Sequence, residues 1–76
     1  MASPPAELVA FVAKAIVTKP EAIEVRELEG GALLELQTDP EDRGRVIGRQ
    51  GRVAKAMRAL LGASRHGADC RLDIVD

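Results

Sequence analysis

Aromatic side chains are almost missing from this chain: Phe11 stands alone, with no tyrosine or tryptophan. Modules that read single strands by stacking bases on exposed rings, such as the RRM and OB folds, therefore fit poorly. Phe11 itself falls on an apolar helical stripe, where core packing is the expected role. One cysteine, Cys70, cannot close an internal disulfide, which suits a reducing compartment and predicts a cytoplasmic protein. Its alternation with Leu72 and Ile74 assigns it to the core. No apolar run approaches the ~20 residues of a membrane span, because Lys14 interrupts the stretch 6–17. The opening Met-Ala-Ser-Pro-Pro has no positive region ahead of an apolar segment, so secretion is not expected, and the lack of an apolar span leaves no membrane partner expected.

Chemistry is equally sparse. His66 is the only histidine, with no second ligand at a metal-binding spacing, and is expected on a basic rim. Ser3 and Ser64 lack a base partner, and Glu41-Asp42 sits at a helix start, where capping accounts for both acids. Nothing combines a nucleophile, a base and an oxyanion donor, so a non-enzyme with no metal and no cofactor is expected. A nucleotide-phosphate loop of the Gly-x-x-x-x-Gly-Lys-Ser/Thr type is absent. Gly44, Gly48 and Gly51 follow Pro40-Glu-Asp-Arg43 rather than a strand, and 76 residues are too few for the parallel sheet a dinucleotide site needs.

Acid is missing from one long stretch. Residues 43–66 hold seven basic side chains (Arg43, Arg45, Arg49, Arg52, Lys55, Arg58 and Arg65) and no carboxylate. The rest of the chain holds all twelve acids and four bases, so a net charge of −1 conceals a segment of +7 against a remainder of −8. Solvated faces normally mix signs, and segregation of this kind suits a phosphate-facing surface.

What is present reads as one α+β domain over residues 1–76. Ser3 caps a helix over 4–18, with Pro4 first, Glu7 in its first turn and Leu8, Phe11, Val12, Ala15 and Ile16 along one stripe. Ile23 and Val25 alternate with Glu24 and Arg26 up to Leu28, and Leu34 and Leu36 alternate with Glu35 and Gln37 up to Thr38. Gly30-Gly31 between them predicts a two-residue hairpin. Asp39-Pro40 opens a short helix over 40–47. A further helix sets Val53, Met57, Leu60 and Leu61 on one face and Arg52, Lys55 and Arg58 on the other, and Gly62 ends it. A connector over 64–68 leads to a last strand over 70–75. The predicted order is helix, strand, strand, helix, helix, strand. A chain this short buries only ~60% of its unfolded surface, so a partner subunit would help it.

Between the two later helices lies Arg45-Val46-Ile47-Gly48-Arg49-Gln50-Gly51-Arg52-Val53. Two glycines let such a loop bend tightly and admit a ligand backbone, and the helix start behind it favours an anion.

The motif from Val46 to Val53 resembles the glycine loop of KH domains, and the element order is similar to their type II (prokaryotic) form. The Asp42-x-Gly44-Arg45-Val-Ile-Gly lead-in and the length resemble the small stand-alone bacterial KH proteins of the KhpA family. The resemblance implies a groove that holds about four nucleotides of single-stranded RNA. Gly48 and Gly51 would admit the backbone, Arg49 and Gln50 would face phosphates, and Val46, Ile47 and Val53 would form an apolar floor. Arg45, Arg52 and Lys55 would be peripheral phosphate contacts, by charge and helix facing. Gln50 replaces the basic residue that relatives often carry, which bears on affinity more than on binding mode. The family resemblance also implies a homodimer, or a heterodimer with a larger KhpB (Jag)-type KH protein. Two functions follow: an RNA-binding module of low sequence specificity, acting as an RNA chaperone or post-transcriptional regulator, or a protein-interaction module. A preference for single-stranded DNA is a lesser rival.

Overall fold

A computed structural model of the chain describes residues 3–64 and 69–75. Helix α1 (Pro4–Ile16) leads through a single 3-10 turn at Pro20–Ala22 to strand β1 (Glu24–Leu28) and then β2 (Leu33–Gln37). Another such turn, Glu29–Gly31, joins the two strands; one at Pro40–Asp42 runs into α2 (Arg43–Ile47), one at Arg49–Gly51 into α3 (Arg52–Ala63), and β3 (Arg71–Val75) closes the order. The expected type II sequence of elements is the observed one. The sheet order is β1-β2-β3, antiparallel between the first two and parallel between β2 and β3. The parallel pair requires a long crossover, which α2 and α3 supply.

The core follows from the pleat of β2. Leu34 and Leu36 are fully buried, and Leu33, Glu35 and Gln37 between them are half-buried. Ala6, Val9 and Ala13 of α1, Val46 of α2, Met57 and Leu61 of α3 and Leu72 of β3 complete one cluster with them. Full burial of a side chain such as Leu34 or Leu61 contributes roughly 2 kcal/mol. The other face of the sheet carries charge, including an ion pair of Arg26 with Glu35 at 3.7 Å.

Several expectations need correction. Ser3 does cap α1, its Oγ accepting from the Ala6 amide at 3.4 Å, but the helix stops at Ile16 rather than Thr18. The Thr18 and Lys19 amides donate instead to Asp42, both at 3.0 Å, which turns the chain out of the helix. The buried face of α1 is Pro5, Ala6, Val9 and Ala13, not the stripe of larger residues. Small residues at 6 and 13 let the helix seat closely, so Leu8 and Val12 become a half-buried flank. Phe11 is 75% exposed rather than in the core. The β1–β2 turn is not a two-residue hairpin: Leu28 pairs with Leu33, which leaves four residues, 29–32, in the turn. Glu29 joins Gly30 and Gly31 at positive φ there. Helix α3 continues past Gly62 to Ala63, and Ser64 in extended conformation ends it. Leu60 is 47% exposed although its neighbours Met57 and Leu61 are buried. Cys70 is half-buried outside the core cluster, its thiol donating to the Gly31 carbonyl at 3.2 Å. His66 and most of the predicted connector lie outside the described residues.

Candidate nucleic-acid interface

The loop between α2 and α3 is built by its glycines. Gly48 ends α2, donating its amide to the Gly44 carbonyl at 2.8 Å, and takes φ 78°, ψ 168°, a region essentially confined to glycine. A Cβ there would come within 2.5 Å of Val53 Cγ2 and 2.8 Å of the Val53 nitrogen. The chain then turns through Gln50 (φ 57°) and Gly51 (φ 73°), and the Gly51 amide closes the turn on the Gly48 carbonyl at 3.0 Å. Two consecutive left-handed residues push the middle of the loop outward, and both Arg49 and Gln50 are exposed. Arg52 starts α3 and reaches back, Nη2 to Gln50 Oε1 at 3.4 Å. Among the described residues no side chain caps the start of this helix, whose amides and dipole face the loop.

The structure sorts the predicted aliphatics. Val46 is fully buried in the core, so Ile47 and Val53, both half-buried, are the two with surface to offer a ligand. Arg45, Arg52 and Lys55 are exposed around the loop. Arg45 is steered by an ion pair with Asp42, Nε to Oδ1 at 3.5 Å.

Asp42 is the residue whose role the sequence conceals. Its side chain is buried at 1% exposure, and Oδ1 accepts from the Thr18 amide and hydroxyl while Oδ2 accepts from the Lys19 amide. These bonds tie the chain leaving α1 to the start of α2, and α2 in turn carries the glycine loop. The Thr18 amide is the main influence holding the carboxyl below its ordinary value of 3.8, against the opposing effect of burial. Its other supports are the Thr18 hydroxyl, the Lys19 amide and the Arg45 charge. An acid at a helix start reads as a cap; only the long-range pairing with Thr18 and Lys19 shows it to be an internal tie.

Arg58 lies on the solvent side of α3, as helix facing predicts, but with a contact that facing does not reveal. Although exposed, it does not simply project away from the core. Its Nε and Nη2 both donate to the Leu72 carbonyl on β3, at 3.2 and 3.1 Å.

Two helices joined by Gly-x-x-Gly, packed with an antecedent helix on a β1-β2-β3 sheet with this connectivity, define a KH domain of the type II order. A family model described as KhpA/KhpB, KH domain, matches residues 6–74, and the chain belongs to that family. Similar proteins share most of its length. The RNA-binding protein KhpA of Caldanaerobacter subterraneus subsp. tengcongensis is 50% identical over 60 residues, covering 76% of this chain and 80% of that protein. The RNA-binding protein KhpA of Treponema pallidum is 43% identical over 74 residues, 92% of each chain. That of Streptomyces coelicolor is 42% identical over 72 residues, 92% of this chain and 90% of its own.

Proposed function

We propose that this protein binds single-stranded RNA in the cytoplasm, clamping about four nucleotides with the Gly48–Gly51 loop and with low sequence specificity. The observation that carries the reading is the loop itself. Gly48 is packed so closely on Val53 that a side chain has no room, and the exposed Arg49, Gln50 and Arg52 surround that bare backbone. The relatives' designation as RNA-binding proteins supports the same reading. Arg45 and Lys55 add charge at the periphery, and Ile47 and Val53 offer apolar contact. Weak sequence preference suits an RNA chaperone or post-transcriptional regulator. The test is fluorescence polarisation of labelled single-stranded RNA with the wild type and an Arg49→Asp, Gln50→Asp double variant. With three or four phosphates neutralised, the logarithmic salt slope is expected to be roughly −2 to −3 and the double variant should not bind. Undiminished binding by a folded double variant would remove the loop from the site.

A second reading rests on a separate observation. Phe11 and Leu60 are large apolar side chains left exposed, and a shallow cleft lined by Leu8, Val9, Val12, Met57 and Leu60 lies where α1 meets α3. This surface suits association with a second copy of the chain or with a larger KH-containing partner of the KhpB type. Phe11→Ser should weaken self-association in sedimentation velocity while leaving the thermal melt of dilute protein nearly unchanged. An unchanged sedimentation profile that is dimeric for both proteins would place the contact elsewhere.

A further inference from the structure

The unpaired edge of β3 offers hydrogen-bonding groups beside the basic flank of α3. Among the described residues β3 pairs only with β2, so its other edge carries backbone groups that the sheet does not use. The Arg71 amide points inward, to the Ala32 carbonyl at 2.8 Å. Successive residues of a strand face opposite edges, so the Leu72 amide and carbonyl face outward. Arg58 engages that carbonyl with two of its five N–H donors. Three donors remain, both on Nη1 and one on Nη2, on a side chain that is exposed.

Arg58 is also in line with the clamp. Gly51, Lys55 and Arg58 stand at i, i+4 and i+7, one stripe of α3 that begins in the loop and ends at the β3 edge. Seven residues of helix rise about 10 Å, which separates a phosphate on the loop from a group held against β3.

We infer that Arg58, fixed on the Leu72 carbonyl, selects bases at this edge, favouring those that present two adjacent acceptors and disfavouring adenine. This rests on the RNA-binding reading of the loop. A guanidinium has donors only, and its fork matches O6 and N7 of guanine or N3 and O2 of cytosine. Adenine places an amino donor beside each ring acceptor on its pairing edges, so its N–H₂ meets N–H. The Leu72 carbonyl that could have accepted that amino group is already taken by Arg58. Low overall specificity is compatible with one selective position.

The test compares labelled eight-nucleotide oligocytidine and oligoadenosine in polarisation titrations of the wild type, Arg58→Lys and Arg58→Gln, with thermal melts alongside. Lysine keeps the charge without the fork, and glutamine keeps one donor group without the charge. The wild type is expected to prefer oligocytidine by roughly tenfold, within the range of one bidentate base contact. Arg58→Lys should bring that ratio near unity while leaving the salt slope unchanged. Equal affinities in the wild type, or a preference that persists in both variants, would overturn the assignment while leaving the clamp standing. A lower melting temperature with the ratio intact would make Arg58 a purely structural tie of α3 to β3, which also overturns it. Failure of the wild type to bind either oligomer would remove the RNA reading and this inference together.

Discussion

Replacing Gly48 by alanine tests the loop geometry most directly, because two separate costs fall on one methyl group. The conformation at φ 78°, ψ 168° costs a non-glycine residue about 1–3 kcal/mol. The added Cβ would also stand 2.5 Å from Val53 Cγ2, 2.9 Å from Val53 Cβ and 2.8 Å from the Val53 nitrogen. A side-chain tip could turn aside; the backbone nitrogen at the start of α3 cannot move without shifting the helix, and overpacking of this sort costs about 1–3 kcal/mol. Together they predict a loss of about 2–6 kcal/mol, a large part of the ~4–11 kcal/mol expected for a domain of this size. Gly51 and Gly44 are the controls. Gly51 has positive φ but open space around it, so Gly51→Ala should cost only about 1–2 kcal/mol. Gly44 lies within α2 with nothing near its Cβ, and Gly44→Ala should stabilise by about 0.5–1 kcal/mol. Urea unfolding followed by circular dichroism, at one protein concentration, ranks the three, with m-values of about 1 kcal/mol/M setting the scale. Adding Val53→Ala to Gly48→Ala should restore only part of the loss, since the clash with the nitrogen remains. Equal costs for Gly48→Ala and Gly51→Ala would refute the close packing of the loop on Val53.

Asp42 should make stability sensitive to acid. Its carboxyl is held below the ordinary value of 3.8, so its contribution is present above that pH and is lost as pH falls through the lower folded value. Thermal melts from pH 6 to pH 2 should show a steeper acid loss for wild type than for Asp42→Asn, which has no carboxyl to protonate at that position; parallel curves would contradict the tie. Leu34→Ala, at the fully buried centre of β2, should lower stability by about 2–5 kcal/mol in the same urea assay. A loss under 1 kcal/mol would mean that Leu34 does not anchor the core.

The elements themselves were legible because each carries its own local signal. Ser3-Pro4 and Asp39-Pro40 announce helix or turn starts, and Asp39 does accept from the Glu41 amide at 2.9 Å. The alternation around Leu34 and Leu36 declares one buried sheet face. The glycine loop could be found because its two glycines sit between aliphatics and a basic helix. What escaped depends on long-range packing. Periodicity locates an apolar stripe on α1 but not how closely the helix seats. Two alanines at the contact rotate the larger residues to the flank and leave Phe11 outside. A charge pattern marks Arg58 as solvent-facing, yet a long side chain on the flank of a helix can reach a neighbouring strand. Asp42 was hidden for the same reason: its partners Thr18 and Lys19 lie 24 and 23 residues earlier. Nothing in a local window links a helix-start acid to the end of a different helix.

The two proposed surfaces divide α3 between them. Successive residues are 100° apart, so Arg58 and Leu60 lie 200° apart, almost on opposite flanks. The Leu60 flank borders the cleft with Leu8 and Val12 of α1, and the Arg58 flank borders β3. A partner seated on the first flank therefore leaves the second, and the glycine loop above it, uncovered. Pairing two copies through α1 and α3 would thus supply two clamps without hiding either. A second clamp on the same strand binds at the effective concentration set by the RNA between them, a gain that can reach 10²–10⁴ in avidity. A domain with a thin core and the proposed four-nucleotide footprint would benefit twice from such pairing. The apolar area left at Phe11 would be buried, and a weak individual contact with RNA would become strong on any strand long enough to span both loops. On this geometry the two proposed readings would be complementary, with self-association setting the length of RNA held well.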